Sequence, residues 1–219
     1  MNATLYFLIA NVFEYPQPDL GEKLGTLQSI LSEAYPETHE NMRKFVECMP
    51  LDNQRQCEEL FTRTFDVQAL TTLDVGYVLF GDDYKRGALL ANLNREHLFA
   101  DNDCGTELAD HLPNLLRLLT KSKDDEFKVE LVQYILLPAL EKMIDEFNPN
   151  RVSQKRELYQ KHYNTLIESS EKATVYLYAL RVLETVLKKD FLVDAIREVT
   201  YPSDFIVEMD RELVLEGRS

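Results

Sequence analysis

Residues 57–65 read Cys57-Glu58-Glu59-Leu60-Phe61-Thr62-Arg63-Thr64-Phe65. Cys57, Leu60, Phe61, Thr64 and Phe65 recur at three- and four-residue spacing, which puts all five on one face of an α-helix. Glu59 and Arg63 stand at i,i+4 on another face, where such a pair adds about 0.2–0.5 kcal/mol to an exposed helix. The same period spreads outward in both directions. Leu5, Leu8, Ile9, Val12 and Phe13 form one stripe, and Leu20, Leu24, Leu27 and Leu31 a second. From Lys85 to Phe99 the stripe is Ala88, Leu89, Asn92, Leu93 and Glu96, and Leu112, Leu115, Leu116 and Leu119 continue the pattern. Phe127, Leu131, Tyr134 and Ile135 lead into Leu140, Met143, Ile144 and Phe147, with Pro138 placed to kink a long helix. Val175, Tyr178, Ala179, Val182, Leu183 and Val186 make a late helix.

The breaks suit this reading. Pro16, Pro18, Pro36, Pro50, Pro149 and Pro202 punctuate the chain, and Ser122 followed by Asp125 resembles a capping box. No stretch alternates apolar and polar residues as a half-buried strand does. Glycine is scarce at 7 in 219 residues, about 3% against an average of roughly 7%; sheet-rich folds and glycine-loop nucleotide folds need more. The expectation is an all-α, single-domain helical bundle of roughly eight to ten helices over residues 1–200. An acidic tail follows over 201–219, free either to move or to pack late.

Charge narrows the function. Lys plus Arg number 24 and Asp plus Glu 38, a formal net charge of −14. Duplex nucleic acid is bound by Lys and Arg on phosphates, so this chain is a poor candidate for it and for an anionic membrane surface. The apolar opening, Leu5 to Phe13, lacks the basic stretch that begins a secretory signal and is too short to span a bilayer. Three cysteines, Cys48, Cys57 and Cys104, form no C-x-x-C pair, which points to reduced thiols and a cytoplasmic location.

No phosphate-cradling glycine loop, dinucleotide fingerprint or nucleophile elbow is present. None of the four histidines, His39, His97, His111 and His162, has a Glu three residues before it, so the di-iron pair is missing. Asp101-Asn102-Asp103 opens like a calcium loop, but Gly105 stands where a third ligand belongs. Neither a metal nor a cofactor is expected, and binding is expected rather than catalysis.

Two segments are unusual for plain helix surface. Glu59 to Gly87 gathers the aromatics Phe61, Phe65, Tyr77 and Phe80 and the acids Asp66, Asp82 and Asp83, with Arg86, around a glycine-containing connection. Glu107-Leu108-Ala109-Asp110-His111-Leu112-Pro113 lies in a run, Leu98 to Leu116, with four acids and no Lys or Arg. They can be core aromatics with solvated acids at helix starts, or a groove with an apolar floor and an acidic rim for a basic, amphipathic peptide.

At these segments the sequence resembles the NarJ/TorD/DmsD family of molybdoenzyme assembly chaperones, in its nitrate-reductase delta-chain branch. Leu60 to Asp66 is similar to the family's Phe-Asp element, Asp82 to Leu93 to its Arg-Gly helix, and Glu107 to Pro113 to its acidic Asp-His loop. Val12 to Pro16 is similar to its opening Tyr-Pro element. The likeness runs from about residue 5 to about residue 147 of this chain. Two departures stand out: Cys57 occupies a place where many relatives carry Tyr, and the glycine-proline loop of the TorD-like branch has no counterpart.

The resemblance implies a cytoplasmic chaperone without turnover and without a cofactor of its own. Its partner would be the catalytic subunit of a DMSO-reductase-family molybdoenzyme, which itself carries bis-molybdopterin guanine dinucleotide. The chaperone would hold the subunit's N-terminal or twin-arginine leader region while the cofactor is inserted, as a monomer or weak homodimer. Asp66, Asp82, Asp83, Glu107 and Asp110 would form the acidic rim and Tyr77, Phe80 and Leu112 the floor, with His111 and Pro113 shaping the loop. Arg86 would pair with Asp82 at i,i+4, and Glu107 with His111 is either a neutralised pair on one helical turn or a ligand contact. The alternative is a permanent acidic helical subunit or adaptor of an oxidoreductase complex.

Overall fold

A computed structural model describes residues 1–162 and 174–192. Helices account for nearly all of the regular structure: α1 (Ala3–Val12), α2 (Leu20–Ala34), a 3-10 turn (Pro36–Thr38), α3 (His39–Cys48), α4 (Gln54–Phe65), α5 (Val75–Phe80), α6 (Tyr84–Phe99) and α7 (Leu112–Lys121). They continue as α8 (Asp125–Glu130), a π-helical segment (Leu131–Leu136), α9 (Leu137–Asp145), α10 (Pro149–His162) and α11 (Val175–Asp190). With α8, the π segment and α9 counted as one rod, that is ten helices among the described residues. The fold is all-α, as expected. The acidic tail over 201–219 lies outside the described residues.

The chain sorts into two compact units. Among the described residues, the first takes Met1–Ala10, Leu73–Ala139 and 187–192; the second takes Asn11–Thr72, 140–162 and 174–186.

In the first unit, α7 is buried on almost every side: Leu112, Pro113, Asn114, Leu115, Leu116, Leu118 and Leu119 are all inaccessible. Only Arg117, Thr120 and Lys121 reach the surface, so α7 lies deep in its unit, and each fully buried Leu contributes about 1.5–3 kcal/mol. Pro113 costs nothing there, because the first helical turn has no use for its missing N–H. Leu89 and Leu93 of α6, Leu5 and Ile9 of α1, and Leu131 and Val132 are buried in the same unit.

Pro138 is accommodated by a widened turn of backbone. It cannot donate to the carbonyl one turn back. The backbone widens into i→i+5 register over Leu131–Leu136 immediately before it, with the Leu137 N–H bonded to the Val132 carbonyl. The cap of α8 also differs from expectation: Asp124, not Ser122, accepts from the Phe127 N–H, at 3.0 Å. Ser122 instead accepts from the Asp124 N–H.

The second unit is organised by aromatic rings. Phe13, Phe45, Phe61 and Phe65 surround Tyr176, with ring centroids 4.8–6.4 Å from its own. These edge-to-face and tilted pairs are the preferred geometry of aromatic quadrupoles. The stripe Cys57, Leu60, Phe61, Thr64 and Phe65 is buried as a block, and so are Leu20, Leu24, Leu27 and Leu31 of α2. On the exposed faces Glu40–Lys44 closes at 3.1 Å, and Glu59–Arg63 also forms.

Candidate functional site

Two segments more than twenty residues apart meet in the first unit. The chain before α5 and the chain before α7 form an antiparallel bridge, Asp74 against His111. The Val75 N–H donates to the Asp110 carbonyl and the Leu112 N–H to the Leu73 carbonyl, both at 2.9 Å.

Side chains lock this crossing. Arg86, in the first turn of α6, donates from Nε to Asp110 Oδ2 at 3.0 Å and from Nη2 to Asp74 Oδ2 at 2.9 Å. Asp110 Oδ2 also accepts from the Gly76 N–H at 3.1 Å. Gly76 is glycine for a steric reason: a Cβ there would lie 2.6 Å from that same oxygen. Burial disfavours the Arg86 charge, but the hydrogen bonds and charges of Asp110 and Asp74 outweigh it and hold its pKa above the usual arginine value. The guanidinium also lies 5.4 Å from the centre of the Tyr77 ring, within cation–π range.

This arrangement corrects several expectations. Asp110 is fully buried and cannot be an exposed rim carboxylate; its Oδ1 has no hydrogen-bond partner among the described residues. Arg86 pairs with Asp110 and Asp74, not with Asp82, because the tertiary carboxylates offer a drier site than the exposed i−4 position. Leu112 is a core residue of α7, not floor, and Pro113 is buried in the first turn of α7 rather than in the loop. Glu107 and His111 share no helical turn: His111 precedes α7 as its N-cap, and its N–H donates to the Leu108 carbonyl.

The exposed candidates are fewer. Tyr77 is exposed and Phe80 half-buried, both on α5; Asp82 and Asp83 are exposed on the α5–α6 connection. Asp83 is also the N-cap of α6, accepting from the Lys85 N–H at 2.9 Å. Gly81 holds a φ of +65°, which lets α5 end sharply before this pair. Glu107 is exposed on the loop that leads to Asp110. Asp66 is exposed at the end of α4 and belongs to the second unit.

Sequence patterning missed a second polar cluster. His97, not Glu96, completes the buried stripe of α6. Its Nε2 donates to the Ala109 carbonyl at 2.9 Å, while Nδ1 accepts from Asn102 Nδ2 at 2.9 Å. The Asn102 amide orientation is fixed by its second bond, Nδ2 to the Asn114 carbonyl at 3.1 Å. The neutral, Nε2-protonated ring is thus fully satisfied. Burial lowers the His97 pKa, only partly offset by the Ala109 bond. Asn114 Nδ2 in turn donates to the Cys104 and Leu108 carbonyls. Together these bonds fix the course of the loop from Asn102 to Asp110.

Nothing in the cluster pairs a nucleophile with a base. No group of three or more His, Cys, Asp or Glu side chains able to hold a metal occurs among the described residues. No helix among them is long and apolar enough to cross a membrane. Cys48, Cys57 and Cys104 are free thiols. Burial, with help from Asp103, raises the Cys104 pKa, the opposite of thiolate activation. No family model, curated protein or solved structure matches the chain.

Proposed function

We propose that this chain is a cytoplasmic, non-catalytic chaperone that binds the N-terminal or leader region of a molybdopterin-dependent oxidoreductase subunit and assists cofactor insertion. One observation carries the reading. Two of the segments that resemble the chaperone family, residues 82–93 and 107–113, are joined by the Arg86–Asp110 ion pair, and Asp74 and Gly76, outside those segments, complete the lock. Burying a carboxylate and a guanidinium is costly unless they are paired and hydrogen-bonded. The lock therefore acts as scaffold, and the ligand-facing roles fall to the exposed Tyr77, Asp82, Asp83 and Glu107 and the half-buried Phe80 around it.

The chemistry is complementary to a leader peptide. Arginines are attracted by exposed carboxylates, and an apolar stretch can lie against Tyr77 and Phe80. The net charge of −14 speeds encounter with a basic segment more than it adds affinity.

The test is titration with the N-terminal peptide of a molybdoenzyme catalytic subunit, alongside the molybdenum content of that subunit made with and without this chain. Binding that weakens in Tyr77→Ser and Asp82→Lys, and a molybdenum-poor client without the chaperone, are the expected results. A client that acquires its cofactor equally well alone would end the proposal. Stoichiometric retention of this chain in the mature enzyme would favour the permanent-subunit alternative.

A further inference from the structure

The last turn of α6 carries Leu98 and Phe99, which are 79% and 77% exposed, the two most exposed large hydrophobic residues among those described. They are held rigidly. The Asn102 N–H bonds to the His97 carbonyl and the Asp101 N–H to the Leu98 carbonyl, with Asp101 at a φ of +50°. That is a Schellman cap. Its usual apolar contact is replaced here by the Asn102–His97 side-chain bond. Leu108, also exposed, adjoins Ala109, whose carbonyl takes the His97 bond, and its own carbonyl is held by Asn114. The polar network therefore brings three exposed apolar residues to one end of α6.

The charge around them is mostly negative. Asp101, Asp103 and Glu107 are exposed there. Lys121 reaches this end, where its ammonium donates to the Asp101 carbonyl. The carbonyl end of α6 adds partial negative charge. A second copy of a chain with net charge −14 would be repelled, as would an anionic membrane.

We infer that this surface docks a basic, apolar segment of a partner polypeptide, its apolar side chains on Leu98, Phe99 and Leu108 and its Lys or Arg residues toward Asp101, Asp103 and Glu107. It shares Glu107 with the proposed leader face, but its apolar anchors lie at the opposite end of α6 from that face. Tyr84 and Leu98 lie about 21 Å apart along α6, at a rise of 1.5 Å per residue. The inference does not depend on the chaperone reading.

The probe is a fluorescent synthetic peptide of leucines and lysines in helical register, followed by anisotropy. The expected result is binding that weakens with salt and falls at least about tenfold in Leu98→Ser/Phe99→Ser, as for loss of an interface anchor. Asp101→Asn/Asp103→Asn should flatten the salt dependence. The substituted side chains are exposed, so circular dichroism and urea midpoints should stay at parental values. Unchanged affinity in Leu98→Ser/Phe99→Ser would overturn the inference. So would a homodimer dissolved by that variant, or vesicle binding abolished by it. Loss of the probe only in Tyr77→Ser and Asp82→Lys would also overturn it, and would leave the proposed leader face standing.

Discussion

Replacing Gly76 by alanine tests the central lock directly. In an ordinary helix the change would stabilise by up to about 1 kcal/mol, through backbone propensity. Here the new Cβ would sit 2.6 Å from Asp110 Oδ2, 3.1 Å from Leu89 Cδ2 and 3.2 Å from Arg86 Cγ. The oxygen cannot yield freely, because it is held by the Gly76 N–H at 3.1 Å and by Arg86 Nε at 3.0 Å. Overpacking of this kind costs about 1–3 kcal/mol. Disturbing hydrogen bonds to a buried charge adds about 1.5–3 kcal/mol. After a propensity gain of about 1 kcal/mol is subtracted, Gly76→Ala should lose about 1.5–5 kcal/mol. Urea unfolding followed by far-ultraviolet circular dichroism reads this as a lower midpoint with an unchanged slope. A double-mutant cycle sharpens the test. In an Asp110→Ala background the obstructing oxygen is gone, so adding Gly76→Ala should cost little further, and the coupling should approach the whole single-mutant loss. A Gly76→Ala protein as stable as the parent, or strictly additive losses, would refute the geometry.

Three further outcomes follow. His97 has a folded pKa below its unfolded value of 6.5, so the unfolded chain binds the extra proton and stability falls as pH drops from about 6.5 through the folded pKa. Urea midpoints across about pH 5 to 7.5 should show this decline in the parent and a shallower one in His97→Gln. The Tyr176 hydroxyl is buried without a hydrogen-bond partner among the described residues. Tyr176→Phe should therefore keep the ring cluster and raise stability by about 1 kcal/mol, and a comparable loss in thermal unfolding would contradict this. Asp101 holds a φ of +50° in the cap of α6, so Asp101→Gly should stabilise by about 0.5–1 kcal/mol in the same urea assay.

How far the sequence could be read depended on the range of the interaction. The stripes Cys57 to Phe65 and Leu20 to Leu31 follow from local periodicity and are buried as that periodicity requires. At α6, positions 96 and 97 both continue the stripe, three and four residues after Leu93. Periodicity alone could not choose, and the bonds to Ala109 and Asn102 select His97. Arg86 shows the same limit. Its local partner in sequence was Asp82, whereas its partners in the fold lie 12 and 24 residues away. The acidity of residues 98–116 was visible, but not that Asp110, one of its four acids, turns inward. Nor could Gly76 be distinguished from Gly81 and Gly87, because its need for a missing Cβ exists only once Asp110 is in place.

The two units are also interleaved in a way that bears on how the chain can be handled. Among the described residues, Met1–Ala10 and 187–192 belong to the same unit as Leu73–Ala139, while Asn11–Thr72 and the described part of 140–186 make up the other. During synthesis neither unit has all these parts until the ribosome has passed residue 186, so early-made helices such as α4 must wait for partners such as Tyr176. Splitting the chain at any single internal bond leaves at least one unit divided between the fragments, so activity in a split chain requires the pieces to find each other again.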